Sequence, residues 1–275
     1  MAQTIRSLVW ATDIDVLERD HVLDRRDGYW AVRSPDNPKF WWGNFLLFDD
    51  PPAAGDGERW EALFRAEFGA RADVTHRSFA WDRVDGEAGD AERELVARGY
   101  ELEWTSGLVA KPDQIVLHPR ANEEVVVQAL DADGDQRLWD GVIELQQAQA
   151  PDGYERSDYH RTFLKRRQDG LRELFHQDRG AWYVALLDDV PVASLGIVVT
   201  GARARFQAVD TLETHRRKGI ATRLVAEAAA HAASEHSIDH FVIAADPDYH
   251  AIGIYEGLGF GRAELVVGAL LKPQR

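Results

Sequence analysis

The residues best suited to chemistry form one short basic segment in the last quarter of the chain. A predicted strand ending at Leu212 precedes it, and an alanine-rich helix is predicted from Gly219 to Glu235. The first amide N–H groups of a helix lack partners within the helix and lie at the positive end of its dipole, so they attract anions. We therefore predict a diphosphate-binding loop made of Arg216, Arg217, Lys218, Gly219, Ile220, Ala221 and Thr222.

The side chains of this loop support the same prediction. Three adjacent cations can make charge-assisted hydrogen bonds to phosphate. Gly219 lets the backbone approach a ligand closely, and the small Ala221 keeps the next turn open. The competing interpretation is a basic helix start that faces solvent, because short motifs recur by chance. A second motif farther along the chain favours the diphosphate.

Both motifs resemble those of one family. Arg216-x-x-Gly219-x-Ala221 resembles the Arg/Gln-x-x-Gly-x-Gly/Ala signature of the GNAT superfamily of N-acetyltransferases, and residues 248–260 are similar to its Asn-x-x-Ala-x-x-x-Tyr-x-x-x-Gly-Phe segment. The resemblance covers approximately residues 115–275. One departure is Asp248, which stands where the family has asparagine. Its charge would disfavour a phosphorylated ligand unless it points away, so we give Asp248 little weight as a ligand.

The resemblance implies both a fold and a reaction. The fold is α/β (α+β), with a mixed, mostly antiparallel sheet flanked by helices. The reaction is direct transfer of an acetyl group from acetyl-CoA to a bound amine, without an acyl-enzyme. Backbone groups near Thr211 and Leu212 would hydrogen-bond the pantetheine arm and the thioester carbonyl. Tyr255 matches the family's tyrosine that donates a proton to the departing thiolate, although such a ring also packs a helix onto a sheet.

The general base is less well defined by the sequence. Asp210 is the lone acid in the predicted strand Ala204–Leu212, and Glu213 follows that strand. Apolar surroundings would raise the pKa of a carboxyl group and let it accept a proton near neutrality. A surface position capping the turn and a chain of water molecules are the alternatives. The resemblance also implies that Glu144, Glu155, Asp158 and His160 lie on the helices and loop that cover the acceptor side, where any of them could select the amine, although most such charges are simply solvated.

Composition excludes several other chemistries. The chain has no cysteine, which removes disulfides, thiolate nucleophiles and cysteine-based zinc sites. His231 and His236 are five residues apart, which does not fit the i, i+4 spacing of a zinc-binding helix, so no metal site is predicted. There is also no Gly-x-x-x-x-Gly-Lys-Ser/Thr loop for ATP or GTP. A net charge of −15 argues against nucleic acid as a partner.

The expected partner is a small-molecule amine, which would suit an acidic protein, although the charge also serves solubility. No stretch approaches the ~18 to 20 apolar residues of a membrane span, and the first residues lack the layout of a signal peptide, so we expect a cytoplasmic protein without a membrane partner. A homodimer is left open. So are two other functions: a non-catalytic acyl-CoA-binding sensor or assembly module, and a protein or peptide N-acetyltransferase.

The length of 275 residues favours two domains. Seven of the nine tryptophans precede residue 105, and residues 111–122 carry two prolines around a short apolar stretch, predicted to be a strand within a linker. We predict domains at 1–112 and 115–275.

Hydrophobic periodicity predicts the elements of each half. In the first half they are strands at Gly28–Val32, Phe40–Phe48, Val74–Trp81 and Glu101–Ala110, with helices at Trp60–Phe68 and Ala91–Arg98. In the second half they are helices at Asp133–Ala148, Tyr159–His176, Gly219–Glu235 and Tyr249–Leu258, with strands at Ala181–Leu187, Val192–Val199, Ala204–Leu212, His240–Ala245 and Ala263–Leu271.

The two halves share an order of elements, which predicts two GNAT-like copies in tandem with a degenerate first copy. Where the diphosphate loop should recur, the first half has residues 51–58, with two prolines, two aspartate or glutamate residues after glycines, and no basic residue. Proline supplies no N–H and acids repel a diphosphate. We predict one working site per chain, with the first half as scaffold or as a wall of the acceptor site.

Overall fold

The computed structural model describes residues 4–149 and 158–273, which form two compact units. Of the described residues, the first unit contains 4–107, 244–247 and 263–273. The second contains 108–149, 158–243 and 248–262. The chain therefore returns to the first unit at its C-terminal end.

The first unit is a mixed sheet with helices. Its helices are α1 (Leu8–Asp15), α2 (Asp56–Phe68) and α3 (Glu92–Ala97). Its strands are β1 (Val22–Arg26), β2 (Tyr29–Arg33), β3 (Phe45–Phe48), β4 (Arg77–Trp81), most of β5 (Glu101–Ala110) and most of β11 (Gly261–Leu271). The strand order is β1-β2-β3-β4-β11-β5. Strands β3 and β4 are parallel, whereas β1–β2, β2–β3 and β4–β11 are antiparallel.

Aromatic residues build the core of the first unit. Helix α2 buries Trp60, Phe64 and Phe68 along one face, as expected for residues three to four positions apart. The Trp60 ring stacks on Phe48 with ring centroids 3.7 Å apart, and it meets Phe79 edge-on at 5.5 Å. The edge-to-face contact with Phe79 is one of the favoured geometries of aromatic pairs.

The second unit repeats this arrangement. Its helices are α4 (Gln136–Gln147), α5 (Asp158–His176), α6 (Ile220–Glu235) and α7 (Ala251–Gly257). Its strands are β6 (Val126–Ala129), β7 (Gly180–Leu187), β8 (Val190–Thr200), β9 (Arg203–Thr211) and most of β10 (His240–Ala245). The order is β10-β9-β8-β7-β6, with only β9 and β10 parallel among its paired strands. Helix α6 buries small side chains, including Ala228, Ala229 and Ala232, which permits close packing on the sheet.

Both units therefore contain three antiparallel strands, a helix and a parallel strand in the same order, namely β1-β2-β3-α2-β4 and β7-β8-β9-α6-β10. A helix between two parallel strands is the usual crossover connection. The predicted fold class, a mixed and mostly antiparallel sheet with flanking helices, is confirmed. The predicted domains 1–112 and 115–275 differ from the two units chiefly at the C-terminus, because residues 268–271 of β11 pair with β4.

Two local predictions are wrong, and three elements were not predicted. The predicted strand Phe40–Phe48 begins only at Phe45, because residues 41–43 form a 3-10 turn that the Asn44 side chain holds through hydrogen bonds to the carbonyls of Asn37 and Phe40. The apolar residues 115–117 form no strand. Helix α1 and the strands β1 and β6 have no counterpart among the predicted elements.

Candidate active site

One cavity of about 780 Å³ lies in the second unit and brings the two predicted motifs together. Its volume falls within the range of small-molecule pockets. Every residue of the predicted site except Leu212 lines it: Asp210, Thr211, Arg216, Arg217, Lys218, Gly219, Ile220, Ala221, Thr222 and Tyr255. The amide N–H of Leu212 donates to the Val192 carbonyl at 2.9 Å, and its carbonyl accepts from the His215 N–H at 2.8 Å.

The cavity opens where two parallel strands separate. Among the described residues, strands β9 and β10 pair from Arg203 to Arg205 on β9, and the rest of β9 has no strand partner on that side. On its other side, β9 pairs with β8 through a bulge, since Leu195 alone on β8 lies opposite both Ala208 and Val209 on β9. Ala208 has a φ of +42°, in the left-handed region that non-glycine residues seldom adopt. The bulge thus takes backbone polar groups out of regular pairing beside the cavity.

The N-terminus of α6 is open toward an anion. Gly219 precedes the helix with a φ of +75°, and no side chain caps the first turn. Within the described residues, the amide N–H groups of Ile220, Ala221 and Thr222 have no acceptor. Arg217 also has a positive φ, of +61°. Left-handed residues interleaved with right-handed ones turn successive N–H groups toward one side, which makes a concavity that binds anions.

The cations of this loop are placed differently from one another. The Arg216 guanidinium donates to the Thr211 carbonyl at 3.3 Å and to the side-chain oxygen of Gln149, so it lies along β9. Arg217 and Lys218 are exposed and, in the part of the chain that the structure describes, pair with no carboxylate. Unpaired cations beside open helix N–H groups are what a phosphate requires.

The loop is held from behind by residues 114–122, which we call the strap. Asn122 donates its backbone N–H to the Gly219 carbonyl at 3.1 Å and its side-chain amide to the Lys218 carbonyl at 3.0 Å. A Cβ on Gly219 would lie 2.1 Å from the Arg120 carbonyl oxygen. The sequence predicted that Gly219 lets the backbone approach a ligand closely. In the structure, Gly219 also lets the strap's own backbone approach the loop closely.

Asp210 and Tyr255 give the cavity one basic and one acidic group. Asp210 is half-buried, and burial raises its pKa to about 6, against the opposing effect of the Arg216 charge. Tyr255 is 6% exposed. Burial, followed by the negative charge of Asp210, raises the pKa of Tyr255, which keeps its hydroxyl protonated at neutral pH. A pair of titratable groups of which one can accept a proton and the other can donate one near neutral pH is typical of acid–base catalysis.

Three of the four residues predicted to select the amine lie outside the cavity. Glu144 is exposed and forms a 2.6 Å ion pair with Arg161. Asp158 and His160 begin α5, and burial lowers the pKa of His160. None of these three lines the cavity. Glu155 lies outside the described residues.

The cavity also contains residues that the sequence analysis did not single out for it. His118 and Arg120 come from the strap, and Gln149 follows α4. Tyr249 and His250 belong to the second motif, and their ring centroids lie 4.2 Å apart. The strap and Gly219 are about a hundred residues apart in sequence, so no local pattern shows that they meet. The basic charge of Arg120 was the one feature of the predicted linker that could have indicated a phosphate site.

The corresponding helix of the first unit is closed to anions. Gly55 precedes α2, and its N–H donates to a carboxylate oxygen of Glu94 at 3.0 Å. The N–H of Ala53 donates to the Asp56 carboxylate at 2.9 Å. Two acids, Asp56 and Glu58, occupy the first turn of α2. The helix start thus carries carboxylates of its own where α6 carries cations.

No group of three or more histidine, aspartate or glutamate side chains among the described residues could hold a metal ion. No helix in the described ranges is both long enough and apolar enough to cross a membrane.

Comparison with known proteins agrees with this geometry. Residues 139–260 match the model of the acetyltransferase (GNAT) family. No curated protein sequence matches the chain.

Solved structures resemble the whole chain. A functionally unknown conserved protein from Staphylococcus epidermidis has a TM-score of 0.70 at 14% identity, over 93% of this chain and 95% of that one. A GCN5-related N-acetyltransferase from Kribbella flavida has a TM-score of 0.66 at 16% identity, over 99% and 98%. A tandem GNAT protein from the clavulanic acid biosynthesis pathway has a TM-score of 0.56 at 18% identity, over 95% and 89%. At such identities the likeness establishes the fold alone.

Proposed function

We propose that this chain, whose residues 139–260 belong to the acetyltransferase (GNAT) family, transfers an acetyl group from acetyl-CoA directly to the primary amine of a small molecule. The observation that carries the proposal is the shared cavity. It joins an open helix N-terminus with unpaired cations to a carboxyl group and a phenol that are suited to proton transfer. The first group of features fits the diphosphate of CoA, and the second fits the reaction.

The chain's own residues would act as follows. The first turn of α6 and Arg217 and Lys218 bind the diphosphate, and the β9 bulge supplies backbone groups for the pantetheine arm and the thioester carbonyl. The Asp210 carboxylate takes one proton from the substrate ammonium, which frees the nitrogen lone pair. The nitrogen then attacks the thioester carbonyl carbon, and the carbon–sulfur bond breaks as the carbonyl re-forms.

Protons and charge balance in this scheme. The departing sulfur accepts the hydroxyl proton of Tyr255, and the nitrogen gives up its second proton, which returns Tyr255 to its protonated form. Asp210 releases the first proton to solvent, so the net products are an amide, the free thiol of CoA and one proton. A net charge of −15 would favour the approach of a cationic amine.

We propose one such site per chain. Asp56 and Glu58 in the first turn of α2 would repel a diphosphate. The N–H groups of Ala53 and Gly55 before that helix already donate to carboxylates of the chain. Titration calorimetry would then give a stoichiometry of one acetyl-CoA per chain. A stoichiometry of two would contradict the assignment, and an absence of binding at millimolar acetyl-CoA would contradict the proposed co-substrate.

Turnover distinguishes an enzyme from a non-catalytic acyl-CoA-binding module. Release of the CoA thiol is followed separately with polyamines, aminoglycosides, amino acids and short peptides. A reaction without any amine is the control. Amine-dependent release accompanied by the acetylated product supports the enzyme. Tight binding without release from any amine supports the binding module, and release only with peptides supports a protein or peptide N-acetyltransferase.

A further inference from the structure

The strap places a cation in the cavity that neither motif contains. Arg120 lines the cavity, is exposed and has no partner for its guanidinium in the part of the chain that the structure describes. Its backbone is fixed, because its N–H donates to Nδ1 of His118 at 3.0 Å and its carbonyl lies against Gly219. The two hydrogen bonds of Asn122 to the loop hold the same turn in place.

Arg120 and Arg216 mark opposite ends of the loop. Arg216 is tied to the carbonyl of Thr211, so it lies beside the end of β9 that leads into the loop. The chain then passes through Arg217 and Lys218 to Gly219, against which the strap packs. A ligand with its pantetheine arm along β9 and its diphosphate on the first turn of α6 would extend past Gly219 toward the strap.

CoA carries two separate anionic groups, a diphosphate and a ribose 3′-phosphate. The open N–H groups of α6 address the first of these. A phosphate monoester carries close to two negative charges at neutral pH and needs cations of its own. Arginine is well suited because its planar fork can donate two parallel hydrogen bonds to phosphate.

On the basis of the proposed function, we propose that Arg120 binds the ribose 3′-phosphate of CoA and sets the preference of this protein for CoA over 3′-dephospho-CoA. Arg120 is thus a specificity-determining residue supplied by the strap, outside both family motifs. The interaction lies at an exposed position, so salt weakens it.

The test measures binding by calorimetry, independently of turnover. CoA and 3′-dephospho-CoA are titrated into the wild-type chain, R120Q, R120K and R137Q at low salt. Arg137 is an exposed arginine of α4 outside the cavity, so R137Q matches the lost charge without touching the site. The wild type should prefer CoA. R120Q should weaken the binding of CoA by about five- to tenfold and leave the binding of 3′-dephospho-CoA unchanged. R120K should keep part of the preference for CoA, and R137Q should keep all of it.

Each other outcome has a definite meaning. If the wild type binds neither ligand, the proposed function fails. If it binds both ligands equally, or if R120Q weakens both by the same factor or neither, the proposed function stands and the role of Arg120 is wrong. Thermal unfolding of each variant confirms that the compared proteins are folded.

Discussion

Replacing Asp210 with asparagine should stabilise the protein at neutral pH while it removes activity. Burial raises the pKa of Asp210 from its ordinary value of 3.8 to about 6, so the folded chain binds a proton there more tightly than the unfolded chain. Between these two pH values the native state holds more protons, so the free energy of unfolding falls as pH rises. The difference in pKa corresponds to about 3 kcal/mol.

The sign sets the pH window. Below about pH 4 the carboxyl is protonated in both states, and its burial carries no electrostatic penalty. Above about pH 6 it is ionised in both states, and the full penalty of about 3 kcal/mol applies. Asp210→Asn stays neutral throughout. We therefore expect this variant to exceed the wild type in free energy of unfolding by up to about 3 kcal/mol at pH 7, with the gain disappearing toward pH 4.

Activity should change in the opposite direction. If Asp210 is the base, the wild-type kcat/KM rises tenfold per pH unit below about pH 6 and then levels off. Asp210→Asn should lose this limb and lower kcat by roughly 10² to 10⁴. Asp169 is an exposed acid on α5, and Asp169→Asn should change neither property.

Urea unfolding from pH 4 to pH 8 and thiol release over the same range measure the two effects. A variant that is less stable than the wild type at pH 7 would refute the raised pKa. A variant that keeps both its rate and its limb near pH 6 would refute the assignment of the base, whatever its stability.

Three further changes test the rest of the site. Tyr255→Phe should lower kcat by about a hundredfold with unchanged acetyl-CoA affinity, because only the proton for the departing thiolate is lost; a weakened affinity in calorimetry would instead indicate a packing role. Arg216→Gln removes the charge that lowers the pKa of Asp210, so the acid limb of the kcat/KM profile should move to higher pH, and a shift to lower pH would contradict this electrostatic account. Gly219→Ala combines a positive φ with a Cβ 2.1 Å from a carbonyl oxygen. It should lower the free energy of unfolding in urea by about 1 to 3 kcal/mol and should also weaken acetyl-CoA binding. The control Gly261→Ala places its Cβ in open space and should change neither property.

Local sequence patterns predicted the elements that carry the motifs because those elements follow from local physics. The alternation of β9, the alanine-rich face of α6 and the glycine between them are all visible within about 35 consecutive residues. Helix α1 escaped prediction for the opposite reason. Part of its N-terminal hydrogen bonding comes from Glu264, whose carboxylate accepts from the Val9 N–H across 255 positions of sequence. No window around residue 8 contains that partner.

The residues of the cavity also fall into those that local sequence predicts and those that it does not. The cation triplet and Tyr255 were predictable from spacing, since each lies within a motif. The bulge at Ala208 was not, because no glycine marks its positive φ and it arises from pairing with β8. The position of Arg120 also depends on tertiary structure, since the strap joins the loop through contacts of Asn122 with Lys218 and Gly219, about a hundred residues away in sequence.

The strap also changes what the motif glycines mean in this chain. A Cβ on Gly259 would lie 2.1 Å from the Gln114 carbonyl oxygen, just as one on Gly219 would meet the Arg120 carbonyl. Both glycines have positive φ values, and the Val116 N–H donates to the Leu258 carbonyl between these two contacts. Each glycine therefore has a sufficient structural cause in the absence of any ligand. Ligand recognition is better assigned to what the strap leaves exposed, namely the N–H groups of α6 and the cations around them.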